Sequence, residues 1–308
     1  MLLGGYSPPP LQYKGGIMPI VTIILTLLAI LAVLTLGFII VDFLKHKDNL
    51  EECNVITVTL VGFIMSLFDV LGIGNFATIT VSLKLLKQCK DKLIPGTLNV
   101  GLALPVMLEA FIFIKDVKVE TLTLVTMIVV ATLGSWVGAG IVSKLPERKI
   151  QVGMGICLLV TAVLMLLGKF DLMPSGGNAV GLSGIKLIVA CIINFILGGL
   201  MTLGIGLYAP CMALVYALGM SPLVAFPIMF GSCAFLMPVA AIRFVKLGTY
   251  NRKVSLILMV SGILAVLIAT RFVIKLPIET LLWIVIFVVI YTAITMLKSS
   301  KEEKVQES

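Results

Sequence analysis

Two glycine-containing stretches decide the fold: Leu71-Gly72-Ile73-Gly74-Asn75 and, 132 residues later, Leu203-Gly204-Ile205-Gly206-Leu207. Each interrupts an apolar run with glycines, which leave the helical conformation easily because they lack a Cβ atom. Irregular backbone at membrane depth is tolerated only where it is buried in protein or lines a cavity. The two stretches therefore predict a pair of broken helices around a site inside the bilayer.

The similarity between the two stretches extends beyond the glycines. Residues 63–95 align with 195–227 without a gap, and nine of these 33 positions are identical. Such a match indicates an internal repeat. The chain divides into an extracellular lead, a helix and a cytoplasmic loop at 1–53, repeat unit one at 54–168, a connecting loop at 169–184, repeat unit two at 185–298 and a cytoplasmic tail at 299–308.

Composition identifies the class of protein. Of the 308 residues, 60% are hydrophobic and 12% charged, and the mean hydropathy is +1.18. The chain has too few polar residues to cover a soluble globule, so we expect an integral membrane protein. The net charge of +8 does not indicate nucleic acid, because the basic residues lie in short loops between apolar runs. Six cysteines without C-x-x-C spacing predict neither a disulfide framework nor a metal site.

Apolar runs predict ten or eleven membrane segments. The first, at 17–41, precedes the repeat and is long enough to cross a bilayer core of roughly 30 Å. The others lie at 54–71, 75–88, 95–114, 121–143 and 149–168 in unit one and at 185–203, 206–219, 222–243, 254–271 and 278–297 in unit two. The second segment of each unit has only about 14 residues, short of the roughly 20 that a crossing helix needs. We expect half-helices there, and the sequence leaves open whether 75–88 and 206–219 cross or re-enter.

Basic residues predict the orientation. The loops 42–53, 84–92, 144–149 and 243–253, with the tail 298–304, hold 16 Lys and Arg residues, against seven elsewhere. The positive-inside rule then places the N-terminus outside the cell membrane and the C-terminus in the cytoplasm. Five segments per unit is an odd number, so the second unit must be inverted relative to the first. Inverted repeats with short, glycine-broken segments are typical of secondary transporters.

The half-helices suggest what the site binds. A helix that begins inside the bilayer leaves its first N–H groups unpaired and carries a partial positive charge there. Two such starts, near Asn75 and Leu207, predict a midplane cavity that suits a small anion without a buried Lys or Arg. The alternative is that the glycines only permit close helix packing. The candidate substrate-binding residues are Gly72, Gly74, Asn75, Thr78, Thr97, Asn99, Gly204, Gly206, Leu207, Tyr208, Ser232 and Cys233.

Two acidic residues, Asp69 and Glu109, interrupt the apolar runs. A carboxylate inside a membrane is costly, so it usually faces a cavity, and it is often protonatable. We expect both residues to act in proton coupling; the alternative is a structural hydrogen bond near the end of a segment. No H-E-x-x-H, G-x-S-x-G or P-loop motif occurs in the sequence, so enzymatic activity is not expected.

The broken segments also resemble a known family. Gly204-Ile-Gly-Leu-Tyr-Ala-Pro210, followed by Ala217-Leu-Gly-Met-Ser-Pro-Leu-Val-Ala225, is similar to the TauE/SafE family of sulfite and organosulfonate exporters. The likeness covers most of residues 54–298. The chain departs from the fuller family pattern G-x-G-G-G-x-x-x-x-P, because Asn75 and Phe76, or Leu207 and Tyr208, stand where that pattern has glycine.

Together these features predict an all-helical secondary transporter. The resemblance implies that its substrate is a sulfur oxyanion or organosulfonate, moved by alternating access with possible proton coupling. The expected partners are this small anion and the lipid bilayer, with no cofactor and no nucleic acid; the sequence leaves a homo-oligomer open. Two alternatives remain, namely a cation carrier that uses Asp69 and Glu109 as ligands, and a membrane scaffold or accessory subunit that transports nothing.

Overall fold

Eleven α-helices account for most of the residues that the computed structural model describes, which are 17–70, 74–114, 119–172, 177–204, 206–271 and isolated positions between 283 and 298. The helices are α1 (Ile17–Lys45), α2 (Val55–Val70), α3 (Phe76–Leu85), α4 (Ile94–Gly101), α5 (Ala103–Phe113), α6 (Thr121–Val142), α7 (Glu147–Lys169), α8 (Gly184–Met201), α9 (Tyr208–Ala217), α10 (Pro222–Leu247) and α11 (Arg252–Arg271). Among these residues there is no β-strand, only an isolated bridge between Ala179 and Met220.

Seven of the described helical stretches are long and apolar enough to cross a membrane. They are Val21–Lys45, Asp91–Ile112, Thr121–Val142, Glu147–Lys169, Gly184–Met201, Val224–Leu247 and Arg252–Arg271. The chain is therefore a multi-pass, all-helical membrane protein, as its composition predicts. The last predicted segment, at 278–297, lies largely outside the described residues.

The helices α3 and α9 are the short elements that the glycine breaks predict. Each has ten residues and rises about 15 Å, half of the roughly 30 Å of a bilayer core. Neither helix crosses a membrane by itself. The structure also divides the predicted segment 95–114 into α4 and α5 at Leu102, because Pro105 has no N–H and its ring crowds the carbonyl of Gly101 one turn earlier.

Glycines allow helices that are far apart in the sequence to pack closely. A Cβ atom on Gly198 of α8 would overlap the carbonyl of Ala131 in α6, and one on Gly62 of α2 would overlap the hydroxyl of Ser261 in α11. Small residues let membrane helices approach this closely. The hairpin α2–α3 is thus joined to α11, and the hairpin α8–α9 to α6.

The basic loops gather at one end of the helix bundle. The N–H of Asn54 donates to Oε1 of Gln88 at 2.7 Å, and Nε of Arg252 donates to Asp42 at 2.9 Å. These contacts join the loops 42–53, 84–92 and 243–253. Near the start of α7, Nε2 of Gln151 donates to Asp91 at 3.1 Å, which adds the loop 144–149 to the same end.

Other loops meet at the opposite end of α6. The N–H of Glu120, which precedes α6, donates to the carbonyl of Val180 at 2.8 Å. Nζ of Lys186 at the start of α8 donates to the carbonyl of Leu218 after α9, at 3.3 Å. The hairpin α8–α9 therefore begins and ends at this second end, whereas α2–α3 begins and ends among the basic loops.

Candidate functional site

Both glycine breaks are unwound. Between α2 and α3, Gly74 has φ of 83°, and between α8 and α9, Gly204 has φ of 97°. These values lie in the left-handed region, which residues with a Cβ atom enter only at a cost of about 1–2 kcal/mol. Each helix pair is therefore interrupted where the sequence predicts.

The two breaks meet at one cavity. Its volume is about 10 Å³, room for about one water molecule. Its walls are Asp69, Gly74, Asn75, Phe76, Val106, Met201, Gly206, Leu207 and Tyr208. Phe76 is the first residue of α3 and Tyr208 the first of α9, so both half-helices begin at this cavity.

Eight of the nine lining residues form four pairs 132 residues apart. The pairs are Asp69 with Met201, Gly74 with Gly206, Asn75 with Leu207, and Phe76 with Tyr208. This is the separation at which residues 63–95 align with 195–227. Positions that align in the sequence thus face each other across the cavity, although several of their side chains differ in chemistry.

The cavity glycines are not sites of close helix packing. A Cβ atom on Gly74 would lie 3.9 Å from the ring of Tyr208, and one on Gly206 would lie 3.8 Å from Cβ of Phe76. These are ordinary van der Waals distances, unlike the overlaps found at Gly62 and Gly198. At the cavity both glycines keep space open, and Gly74 also permits the left-handed backbone.

The two predicted acids lie together at the half-helix starts. Asp69 is 1% exposed, and its Oδ1 accepts a hydrogen bond from the N–H of Asn75 at 2.9 Å. Glu109 is fully buried, and its Oε2 accepts a hydrogen bond from the hydroxyl of Tyr208 at 3.2 Å. Each acid is therefore attached to a different half-helix.

The second carboxyl oxygens, Oδ2 of Asp69 and Oε1 of Glu109, accept no hydrogen bond from a donor within the described part of the chain. The two carboxyl groups are close enough to interact side chain to side chain. Two buried carboxylates so close together repel each other and lose their hydration, so a negative charge on both at once is unfavourable. None of the nine cavity residues is basic.

Four of the candidate residues of unit one lie away from the cavity or outside the description. Thr78 donates to the carbonyl of Asn75 at 3.0 Å, Thr97 to that of Leu93 at 2.7 Å, and Asn99 to that of Pro95 at 2.8 Å. These side chains bond to their own helices, as Thr and Asn often do in apolar surroundings. Gly72 lies outside the described residues.

The remaining candidates of unit two surround the cavity at a greater distance. Oγ of Ser232 accepts a hydrogen bond from Asn194 at 3.3 Å, and Sγ of Cys233 lies 3.6 Å from Sδ of Met201. Cys233 is thus directly behind the cavity wall. Gly204 faces Met154 and Thr80.

Phe76, Val106 and Met201 line the cavity but are not among the candidates predicted from sequence. In an apolar segment, an apolar residue that lines a cavity cannot be distinguished by residue type from its neighbours. The repeat itself holds a signal for two of them, because Phe76 and Met201 are the partners of Tyr208 and Asp69 at the 132-residue separation.

Comparison with protein-family models, with curated proteins and with solved structures finds no match for the chain. The chemistry of the cavity therefore carries the functional argument.

Proposed function

We propose that the protein is a secondary transporter that moves a small anion by alternating access. The observation that carries this proposal is that the N-termini of α3 and α9 face one buried cavity. Each N-terminus carries a partial positive charge, and together they attract an anion without a basic side chain. The resemblance to the TauE/SafE family adds a sulfur oxyanion or organosulfonate as the substrate class.

An inverted repeat of two five-segment units is part of this proposal. The hairpin α2–α3 opens toward the end that holds the basic loops, and α8–α9 opens toward the opposite end. The four residue pairs that line the cavity at a separation of 132 support the same symmetry. With the basic end in the cytoplasm, the N-terminus lies outside the cell membrane and the C-terminus inside. Transporters with this symmetry bind substrate near the midplane, between the repeats.

Alternating access requires the cavity to open, because room for one water is too small for a sulfonate group. The close packing of α2 with α11 and of α8 with α6 defines two bodies that each hold one half-helix. We assign the opening to a separation of these two bodies. The described conformation, with its small cavity, is then a closed state.

A cation carrier is the second candidate, and one observation favours it. Two buried carboxyl groups, each with an oxygen that lacks another polar neighbour, lie beside a cavity of one water's size. Such a pair can coordinate a small cation such as sodium in the membrane interior. In that case the double variant Asp69→Asn/Glu109→Gln loses binding altogether.

Thermal unfolding of the purified protein in detergent separates these candidates. The panel contains sulfite, sulfate, thiosulfate, taurine, sulfoacetate, methanesulfonate and simple carboxylates, with sodium and pH varied independently. A ligand that binds only the folded protein stabilises it by about 2.7 kcal/mol at a hundredfold excess over its dissociation constant. We expect one class of anion to raise the unfolding temperature, and Gly206→Ala to lose this response while remaining folded.

Other outcomes decide against the anion transporter. A response to sodium alone, lost in the double acid variant, identifies the cation carrier. If no anion or cation changes the unfolding temperature, and if Gly206→Ala unfolds at the wild-type temperature, the result supports a membrane scaffold.

A further inference from the structure

We propose that Asp69 is a built-in competitor of the substrate: its carboxylate occupies the N-terminus of α3 in the empty transporter, and it must take up a proton before an anion can bind there. This inference rests on the proposed function and deepens it, because it names the coupling group and the order of events.

The geometry of the α3 N-terminus supports the competition. Asn75 immediately precedes α3, and its N–H donates to Oδ1 of Asp69 at 2.9 Å. The side chain of Asn75 does not cap the helix; its Nδ2 is buried and without a bonding neighbour. The carboxylate of Asp69 thus takes the position that an external anion would take at a helix N-terminus.

The other half-helix lacks such an occupant. Met201 stands at the position equivalent to Asp69, and among the described residues no side chain caps the N-terminus of α9. One of the two anion-attracting helix starts is therefore filled from within the protein and the other is open. A proton must therefore neutralise Asp69 before an anion can bridge both helix starts.

One shared proton accounts for the empty state. If Glu109 carries the proton on Oε1 and donates it to Oδ2 of Asp69, the two carboxyl oxygens that lack other bonding neighbours satisfy each other. Asp69 then keeps the negative charge, because it also receives the N–H of Asn75, and hydrogen bonds to the charged form favour that form. The hydroxyl of Tyr208 supplies the remaining bond to Glu109.

Few other titratable groups interact with Asp69. Within the described residues, its electrostatic neighbours are Glu109 of α5, Tyr208 of α9 and Cys233 of α10. The helices α3 and α11 also pack against α2, and their basic residues lie near the ends, at Lys84, Arg252, Lys253 and Arg271. No described cation therefore competes with the proton for the charge on Asp69.

The coupled step adds one proton and one anion. A proton from the aqueous side adds to the carboxylate of Asp69 and neutralises it. The hydrogen bond from the N–H of Asn75 to Asp69 then weakens. The anion then binds between the two half-helix starts. A monovalent anion leaves the net charge of the site unchanged, because the charge of the substrate replaces that of Asp69. The site therefore carries the same charge with and without substrate when the protein changes conformation.

The test is the pH dependence of methanesulfonate binding, measured by thermal shift on the full chain. Methanesulfonate is monovalent and does not titrate near neutral pH. In the wild-type protein, its dissociation constant rises about tenfold per pH unit above the range in which Asp69 takes up its proton. Asp69→Asn mimics the protonated state, so we expect tight binding without pH dependence. In Glu109→Gln the amide can donate to Asp69 in place of the proton-bearing carboxyl group, so we expect the slope of the pH dependence to remain and its midpoint to move.

Met201→Asp provides a second variant that does not alter Asp69. It places a carboxylate beside the N-terminus of α9, so we expect weaker binding and a pH dependence nearer a hundredfold per unit, because two protons are then needed. Wild-type pH dependence in Asp69→Asn, or wild-type binding in Met201→Asp, overturns the competition while leaving the transporter intact. If none of these proteins binds methanesulfonate or another anion at any pH, the proposed function is overturned as well.

Discussion

Alanine substitution of Gly74, compared with Gly219, separates the backbone role of a glycine from its role in the cavity. Both residues have φ of 83°, and neither has a close neighbour at the position of a Cβ atom: the nearest to Gly74 is the ring of Tyr208 at 3.9 Å, and Gly219 has nothing within 4 Å. A Cβ atom in the left-handed region costs about 1–2 kcal/mol. We expect Gly74→Ala and Gly219→Ala to lose the same stability, because the strain is the same.

The two variants differ in function. Gly74 lines the cavity, so its methyl group enters a space of about 10 Å³ and points at Tyr208. Gly219 follows α9 at its far end, next to Met220 and outside the cavity. We therefore expect Gly74→Ala to lose anion binding and Gly219→Ala to keep it.

Gly206→Ala completes the comparison, because it fills the cavity without strain. Its φ lies outside the left-handed region, and its methyl group would make an ordinary contact with Phe76 at 3.8 Å. Its stability should stay within about 0.5 kcal/mol of the wild-type value.

The assay is thermal unfolding in detergent with and without the anion that stabilises the wild-type protein most. A full anion response in Gly206→Ala, or a lost response in Gly219→Ala, would refute the assignment of the cavity as the binding site.

Three further predictions concern the half-helix starts, the helix packing and the orientation. Tyr208→Phe removes the hydroxyl that bonds to buried Glu109; we expect a loss of about 1–3 kcal/mol in thermal unfolding, because an acceptor is left without its donor. Gly198→Ala forces α8 away from α6 and should cost about 1–3 kcal/mol, whereas Gly37→Ala, which has open space, should not destabilise the protein in the same scan. Burial raises the pKa of the Cys53 thiol, so labelling of Cys53 by an impermeant maleimide should accelerate as pH rises. Labelling should occur only from the cytoplasmic side, and Cys53→Ser is the control. Labelling of Cys53 in intact cells would mean that the orientation is the reverse.

Much of the fold follows from local features of the sequence. The helix lengths and the two breaks depend on apolar runs and on glycine, which act over a few residues. In the structure α2 ends at Val70 and α3 begins at Phe76, and α8 ends at Met201 and α9 begins at Tyr208. The division of α4 from α5 at Leu102 was missed, because a proline can begin, kink or end a helix, and packing decides which.

The cavity was partly predictable, and the repeat explains which part. The residues Gly74, Asn75, Gly206, Leu207 and Tyr208 line it because each of the two similar glycine-containing stretches leads into a half-helix that begins there. Polarity was a poor guide farther from the breaks.

Thr97 and Asn99 illustrate that limit, because their side chains bond to their own helix. Whether a polar side chain faces a cavity or a carbonyl one turn earlier depends on neighbouring helices that the local sequence does not specify. The bond from Asn75 to Asp69 depends in the same way on how the break folds.

Uptake of radiolabelled methanesulfonate into proteoliposomes tests most directly whether the cavity carries an anion. With an acidic exterior, we expect the wild-type protein to accumulate the label above its equilibrium level, and we expect accumulation to stop when the proton gradient is collapsed. Gly206→Ala should abolish uptake and Gly219→Ala should retain it. Unchanged uptake by Gly206→Ala would contradict transport of an anion through the cavity between α3 and α9. The same conclusion would follow if folded wild-type protein took up no anion of the panel with the proton gradient in either direction.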